Sequence, residues 1–266
     1  IVDRLILGPT PALAGCLAGL DRLVDGEARE LYRTVVRDLV QPALDRLGWE
    51  PSDANSSRDL ELRGLLIRML ANTGDDSLAQ QNSRDLHDSY LRDAGSVEPN
   101  IAASVASVVA SKGGETEYEA FSGRFKNPST PQEERRYQSL LSAFLGEVEM
   151  KRTLGMTLSG EVRTQDAPYL LAVALRNRDQ GHLAWQFIKD NWDEINEAFP
   201  SNSIVRMVSG ITSLSTVEQA DDVFAFFEDH EVPQGQLTLQ QTLEKLRVNV
   251  AYRERESKRF AKSLAD

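Results

Sequence analysis

Apolar positions recur at three- and four-residue intervals in nearly every segment of the chain, and no convincing run alternates with a period of two. This pattern predicts about a dozen helices joined by short polar loops and no sheet. Breakers punctuate it at Gly48–Pro51, Gly74–Asp76, Gly95–Pro99, Gly113–Gly114, Asn127–Pro131, Gly160, Pro200 and Pro233–Gly235.

Three segments carry the periodicity best. Between Gly181 and Phe199 the residues Trp185, Ile188, Trp192, Ile195 and Phe199 stand alternately three and four apart, which predicts one helix with one buried stripe, stopped by Pro200. Ser215-x-x-Glu218 reads as a capping box opening a helix that carries Val223, Phe224, Phe226 and Phe227 inward. The last helix presents Leu239, Leu243, Leu246 and Val250 on one face, and its charged tail from Arg253 to Arg259 is expected to be solvated and frayed. Asp166 is expected to cap a helix Ala167–Leu175 with Pro168 in its first turn, and Ser96 to cap a helix through Glu98 and Pro99.

Helices of this length joined by short loops favour antiparallel neighbours, so the expected fold is all-α, a curved stack of helix hairpins like a HEAT or armadillo superhelix. Cooperative packing along such a stack predicts a single helical-repeat domain over residues 1–266. No strict textual repeat is present to name a repeat family.

Composition narrows the possible functions. The chain has 41 acidic and 30 basic residues, a net charge of −11, and an acidic surface repels phosphate, so neither nucleic acid nor an anionic membrane is an expected partner. No apolar run approaches the roughly 20 residues that span a bilayer. Cys16 is the only cysteine, which rules out an internal disulfide and a thiolate zinc cluster and fits a reducing, cytoplasmic setting. It lies in an apolar helix and reads as a small core residue. The start at Ile1 suits a mature protein or a piece of a longer one, and is read here as favouring a piece.

The search for chemistry yields no complete catalytic site. A helical zinc peptidase site needs two histidines one turn apart with a glutamate between them, yet His87, His182 and His230 form no such pair. His230-Glu231-Val232-Pro233-Gln234 is the nearest look-alike. Gln234 stands where the second ligand belongs and Pro233 breaks the helix, so His230 is read as meeting a helix C-terminal dipole. His182 is expected to be a surface or packing residue. His87, between Asp85 and Asp88, is expected to be exposed, a mixed polar helix face being preferred over a metal site. Gly113-Gly114 runs into Glu115, whose carboxylate would repel a phosphate, and no G-x-S-x-G elbow occurs. Asp75-Asp76 and Asp221-Asp222 are read as helix-start acids.

Basic residues around the predicted helix Ala167–Leu175 form the remaining candidate. Arg163, Gln165 and Arg176, with Arg178 nearby, offer donors to an anion or a peptide carbonyl. The alternative is structural: Arg176 satisfies the final carbonyls of the helix and Arg163 pairs with a neighbouring acid.

Read in order, several motifs carry a family likeness: Arg163-Thr-Gln-Asp166, Arg176-Asn177, Gly181, Ala184-Trp185-x-Phe187-Ile188-Lys189-Asp190-Asn191-Trp192, Phe226-Phe227-Glu228, and Gln240-Gln241-Thr242-Leu243-Glu244 with Asn249. Leu47-Gly48-Trp49-Glu50-Pro51 and Glu61-Leu62-Arg63 fit its earlier part. Together they resemble the C-terminal helical domain of the aminopeptidase N and puromycin-sensitive aminopeptidase family of zinc exopeptidases, over about residues 26 to 255. Tyr252 departs from the tryptophan frequent in relatives.

The resemblance implies a parent enzyme that removes N-terminal residues from peptides. Its zinc would sit in an upstream domain bearing a His-Glu-x-x-His motif and a Gly-x-Met-Glu-Asn motif, and neither motif occurs here. It implies further that the C-terminal domain is a bowl of antiparallel helices, covering the active site and gating access to it. On that reading this chain holds no catalytic residue, no metal ligand and no cofactor. Its partners are the upstream catalytic domain and the peptide substrate, which Arg163, Gln165 and Arg176 would contact. The competing expectation is an independent helical-repeat adaptor that binds partner proteins on a concave face. A stand-alone enzyme is the third.

Overall fold

The computed structural model describes residues 10–52, 54–232 and 234–266. Among them every regular element is helical, as the three- and four-residue spacing predicts. They divide into two compact units, one made of the residues up to Lys112 together with Glu256–Asp266, the other of Gly113–Arg255.

The first unit contains α1 (Thr10–Asp21), α2 (Gly26–Leu47), α3 (Ser57–Arg68), a π-helical turn at Met69–Thr73, α4 (Ser77–Arg92) and α5 (Pro99–Lys112). On α2 the residues Tyr32, Val36, Val40 and Leu44 recur every fourth position and are all buried. Gly48 ends the helix at φ 73°, a left-handed conformation that costs glycine little. Arg63 on α3 is wholly buried and donates to the carbonyls of Leu47 (3.0 Å) and Gly48 (2.9 Å) and to Asn55 Oδ1 (2.7 Å), tying α3 to the end of α2. α3 and α5 pack closely at Gly64, where a Cβ would stand 2.5 Å from Ser104 Oγ and 2.9 Å from the Asn100 carbonyl oxygen. Asp75 follows the π turn at φ 51° and is held there by Lys112 Nζ (2.6 Å), Arg33 Nη1 (2.9 Å) and Gln80 Nε2 (2.7 Å). Asp76 caps α4 through the Ala79 N–H.

The second unit contains α6 (Glu115–Lys126), α7 (Pro131–Leu141), α8 (Glu147–Gly155), α9 (Ala167–Leu175), α10 (Gly181–Asp190), α11 (Trp192–Ala198), α12 (Ser201–Val208), α13 (Val217–Asp229) and most of α14 (Gln236–Ala265). Its contacts sort the helices into two rows. Glu119 pairs with Arg152 and Lys126 with Glu161, so α6 and α8 run the same way. Trp185 meets Asp222 and Trp192 meets His230, so α10–α11 and α13 do too. In the other row Glu134 pairs with Arg163 and Ser142 Oγ donates to the Leu170 carbonyl, which sets α7 parallel to α9. Arg176 donates to Ser209 Oγ and Asn249 to the Thr212 carbonyl, extending that row through α12 to α14. With α10 and α11 counted as one arm, consecutive arms form hairpins and alternate arms are parallel neighbours.

Several local expectations are corrected. The predicted helix Gly181–Phe199 is two helices separated at Asn191, although its stripe is buried as expected, with Trp185, Ile188, Trp192, Ile195 and Phe199 all 6% exposed or less. Thr216, not Ser215, caps α13, accepting from the Gln219 N–H. Glu98 rather than Ser96 caps α5, its carboxylate accepting from the N–H groups of Asn100 and Ile101, while the Ser96 hydroxyl turns back to the Asp93 carbonyl. Asp166 sits at the N-cap of α9 but makes no capping hydrogen bond. Cys16 is exposed, because α1 buries Leu17 and turns Cys16 outward. The charged tail is not frayed. It continues α14 to Ala265, and Phe260 packs edge-on to Tyr32 in the first unit with ring centroids 5.6 Å apart.

Candidate functional site

The outward-facing residues of α7 and α9 enclose a groove in the second unit. α7 starts at Thr130, whose hydroxyl accepts from the Glu133 N–H, with Pro131 in the first turn. Glu133 then reaches back to the Ser129 N–H (2.8 Å) and to Arg124 (2.8 Å). Burial would raise its pKa, but these donors outweigh that and hold the carboxyl below the ordinary value. Tyr137 and Leu141 face the core, which leaves Arg135, Gln138 and Ser139 on the opposite side.

α9 is apolar on nearly every side because it is covered from several directions. Tyr169 is the exception, 52% exposed. With Asp166 and Val173 it forms an outward stripe at helical spacing, facing α7. The groove so formed has a volume of about 170 Å³ and is lined by Arg135, Gln138, Ser139, Asp166, Tyr169, Leu170 and Val173.

Its ends are fixed by hydrogen bonds. Arg163 Nη2 lies 2.8 Å from Glu134 Oε1 at one end. At the other, Asn177 Nδ2 donates to the carbonyls of Ser142 and Phe144, both at 3.0 Å, and Gln180 Nε2 to that of Leu145 at 2.6 Å. Asn177 Oδ1 accepts from the N–H groups of Asp179 and Gln180, which holds the turn after α9 in place.

The residues singled out from the sequence are spread along this element rather than gathered. Arg163 is on the rim, paired with Glu134, its side chain 63% exposed. Gln165 is exposed in the turn before α9. Arg176 is at the far end, donating to Ser209 Oγ at 3.1 Å. The nine residues of α9, about 13 Å of helix, stand between Arg163 and Arg176, and the two are engaged at different places, Arg163 with Glu134 and Arg176 with Ser209. Sequence reasoning passed over Arg135, Gln138, Ser139 and Tyr169. The available signal was Tyr169, the one side chain with a polar group in an otherwise apolar helix.

The histidines are also placed. His230 caps the C-terminus of α13, its Nδ1 2.7 Å from the Phe226 carbonyl oxygen and its ring stacked on Phe226 at 3.9 Å. Pro233 of that look-alike motif lies outside the described residues. His182 is exposed. His87 is buried, 3% exposed and stacked near Tyr90, which corrects the exposed reading: Ala79, Ser83 and His87 together form the buried stripe of α4. Among the described residues no three His, Cys, Asp or Glu side chains stand together to hold a metal, so they supply no ligand set into which a catalytic zinc would fit. Among them too, no helix is long and apolar enough to cross a membrane.

Comparison with known proteins bears on what such a helical array belongs to. The family model described as the ERAP1-like C-terminal domain matches residues 8–248. The chain belongs to this family, the C-terminal domain of the M1 aminopeptidases. Within it the chain is 29% identical to Aminopeptidase M1-B of Oryza sativa over 251 residues, covering 89% of this chain and 28% of the relative. It is 30% identical to Aminopeptidase M1 of Arabidopsis thaliana over 217 residues, 79% of this chain and 24% of that one. Human endoplasmic reticulum aminopeptidase 2 matches at 26% over 244 residues, 89% of this chain and 25% of the relative. The chain thus spans about a quarter of the length of the curated relatives it matches. The α7–α9 groove lies within the residues that this family model matches.

Proposed function

We propose that this chain is the C-terminal lid domain of a cytoplasmic zinc aminopeptidase, acting as one HEAT-like superhelical domain that encloses the substrate cavity and gates entry of peptides. The reading is carried by the family match over residues 8–248. In it the zinc and the catalytic groups belong to the catalytic domain of the same polypeptide, and this chain works by confinement. Excluding water and folded proteins and orienting a peptide chain both aid hydrolysis without any reacting group in the lid. Arg163, Gln165 and Arg176 contact the peptide at separate points along α9 rather than as one cluster, their charges and amide suiting carbonyl oxygens or a carboxylate.

Two measurements test this. The chain by itself is expected not to hydrolyse aminoacyl-anilides with or without added zinc, and zinc-dependent turnover would sink the assignment. In the aminopeptidase that carries it, removal of the domain is expected to spare single-residue reporters and abolish dependence of rate on peptide length. Retained length dependence would count against the lid.

A further inference from the structure

Arg135 and Asp166 line the same groove, and among the described residues neither side chain makes a hydrogen bond or an ion pair. This is unusual beside their neighbours: Glu133, Glu134 and Arg163, one or a few positions away, are all engaged. An uncommitted cation and an uncommitted anion in one concavity, walled by the Tyr169 ring, Leu170 and Val173, suit a molecule with a carboxylate, an ammonium group and an apolar body. Size selects among such molecules. Pockets for drug-sized ligands run to about 300–1,000 Å³. A groove of about 170 Å³ accepts a single residue and not a folded-back length of peptide.

We infer that the α7–α9 groove binds a free apolar α-amino acid as its zwitterion, Arg135 taking the carboxylate, Asp166 the ammonium group and Tyr169 with Val173 the side chain. The ligand's identity as an amino acid rests on the aminopeptidase reading, in which free amino acids are the released product. A groove that holds them would make the lid responsive to product.

Isothermal titration of the purified protein with L-leucine, up to about 10 mM, tests the inference. Leucine is expected to bind, and Arg135→Gln and Asp166→Asn are each expected to weaken it about ten-fold with the melting temperature unchanged. Leucinamide lacks the carboxylate and should bind the Arg135→Gln variant as well as it binds the unmodified protein. N-acetyl-leucine lacks the ammonium group and should be indifferent to Asp166→Asn. Leucyl-glycyl-glycine separates a free amino acid from a peptide end. Absence of leucine binding, unchanged affinity in both variants, or tighter binding of the tripeptide would each overturn the proposal. Binding is read without turnover, so a protein that binds leucine but belongs to no active peptidase would distinguish failure of the functional reading from failure of this one.

Discussion

The indole Nε1–H of Trp185 donates to Asp222 Oδ2 at 2.7 Å, and Lys189 Nζ lies 2.6 Å from the same oxygen, so one carboxylate joins α10 to α13. The aromatic rings beneath are packed edge to face: Trp185 and Trp192 each contact Phe226 at 5.2 and 5.3 Å between centroids. Asp222 was expected to be a helix-start acid, but its position on the second turn of α13 gives it this joining role instead.

Asp222 makes stability depend on pH with a definite sign. Partial burial pushes its pKa up, but Lys189 and the Trp185 N–H outweigh this and hold it below the ordinary value. A carboxyl depressed in the folded state contributes stability fully present above its unfolded pKa of about 3.9 and lost as the pH falls through the folded value. Asp222→Asn is therefore expected to lower the urea midpoint at pH 7, and the difference from the unmodified protein should shrink below about pH 4. A difference that stays constant down to pH 3 would refute this.

Among the described residues Arg63 is the largest fully buried side chain, and it satisfies two carbonyls and an amide oxygen at the α2–α3 junction. Arg63→Met keeps the apolar stem but strands those acceptors, with an expected cost of about 3 kcal/mol in urea denaturation. Arg63→Lys cannot reproduce the planar fork and should recover only part of it. Near-neutral behaviour of the methionine variant would show that the junction is held by other contacts.

Phe260 is partly buried against Tyr32 from a segment whose charges alone suggested a solvated tail. Phe260→Ala is expected to destabilise by about 2 kcal/mol and to speed amide exchange in the last turns of α14. Unchanged exchange there would indicate that the ring contributes little.

Arg163 pairs with Glu134 at an exposed position, so the pair is worth at most about 1 kcal/mol and its removal should not unfold the protein. If the chain is part of an aminopeptidase as proposed, replacing Arg163 and Arg176 with alanine in that enzyme is expected to raise KM for long peptides more than for single-residue reporters. Because about 13 Å of helix separates them, their effects should be close to additive. Equal effects on both substrate types would reject a peptide-contacting role.

The helical class, the buried stripe from Trp185 to Phe199 and the terminal role of His230 were legible because each depends on neighbours within a few turns of the same chain. So was the family likeness, whose ordered motifs from Arg163 to Glu244 lie inside the matched region, with Asn249 one residue past its end. The break at Asn191 was not legible, since the stripe keeps helical spacing across it. His87 was misplaced because its flanking aspartates describe the outer side of α4 and say nothing of what covers the inner one.

By itself the sequence determined that the chain is helical, where breakers interrupt it, and that it carries no histidine pair for a zinc peptidase. These follow from local periodicity, breaker residues and a count of side chains. Only the tertiary structure decided that Phe260 returns to Tyr32, that Asp222 joins two helices, and that Arg135 and Asp166 share a groove while Arg163 and Arg176 do not. Those relations join residues tens to hundreds of positions apart, and such pairs are set by how whole helix faces pack rather than by any spacing along the chain.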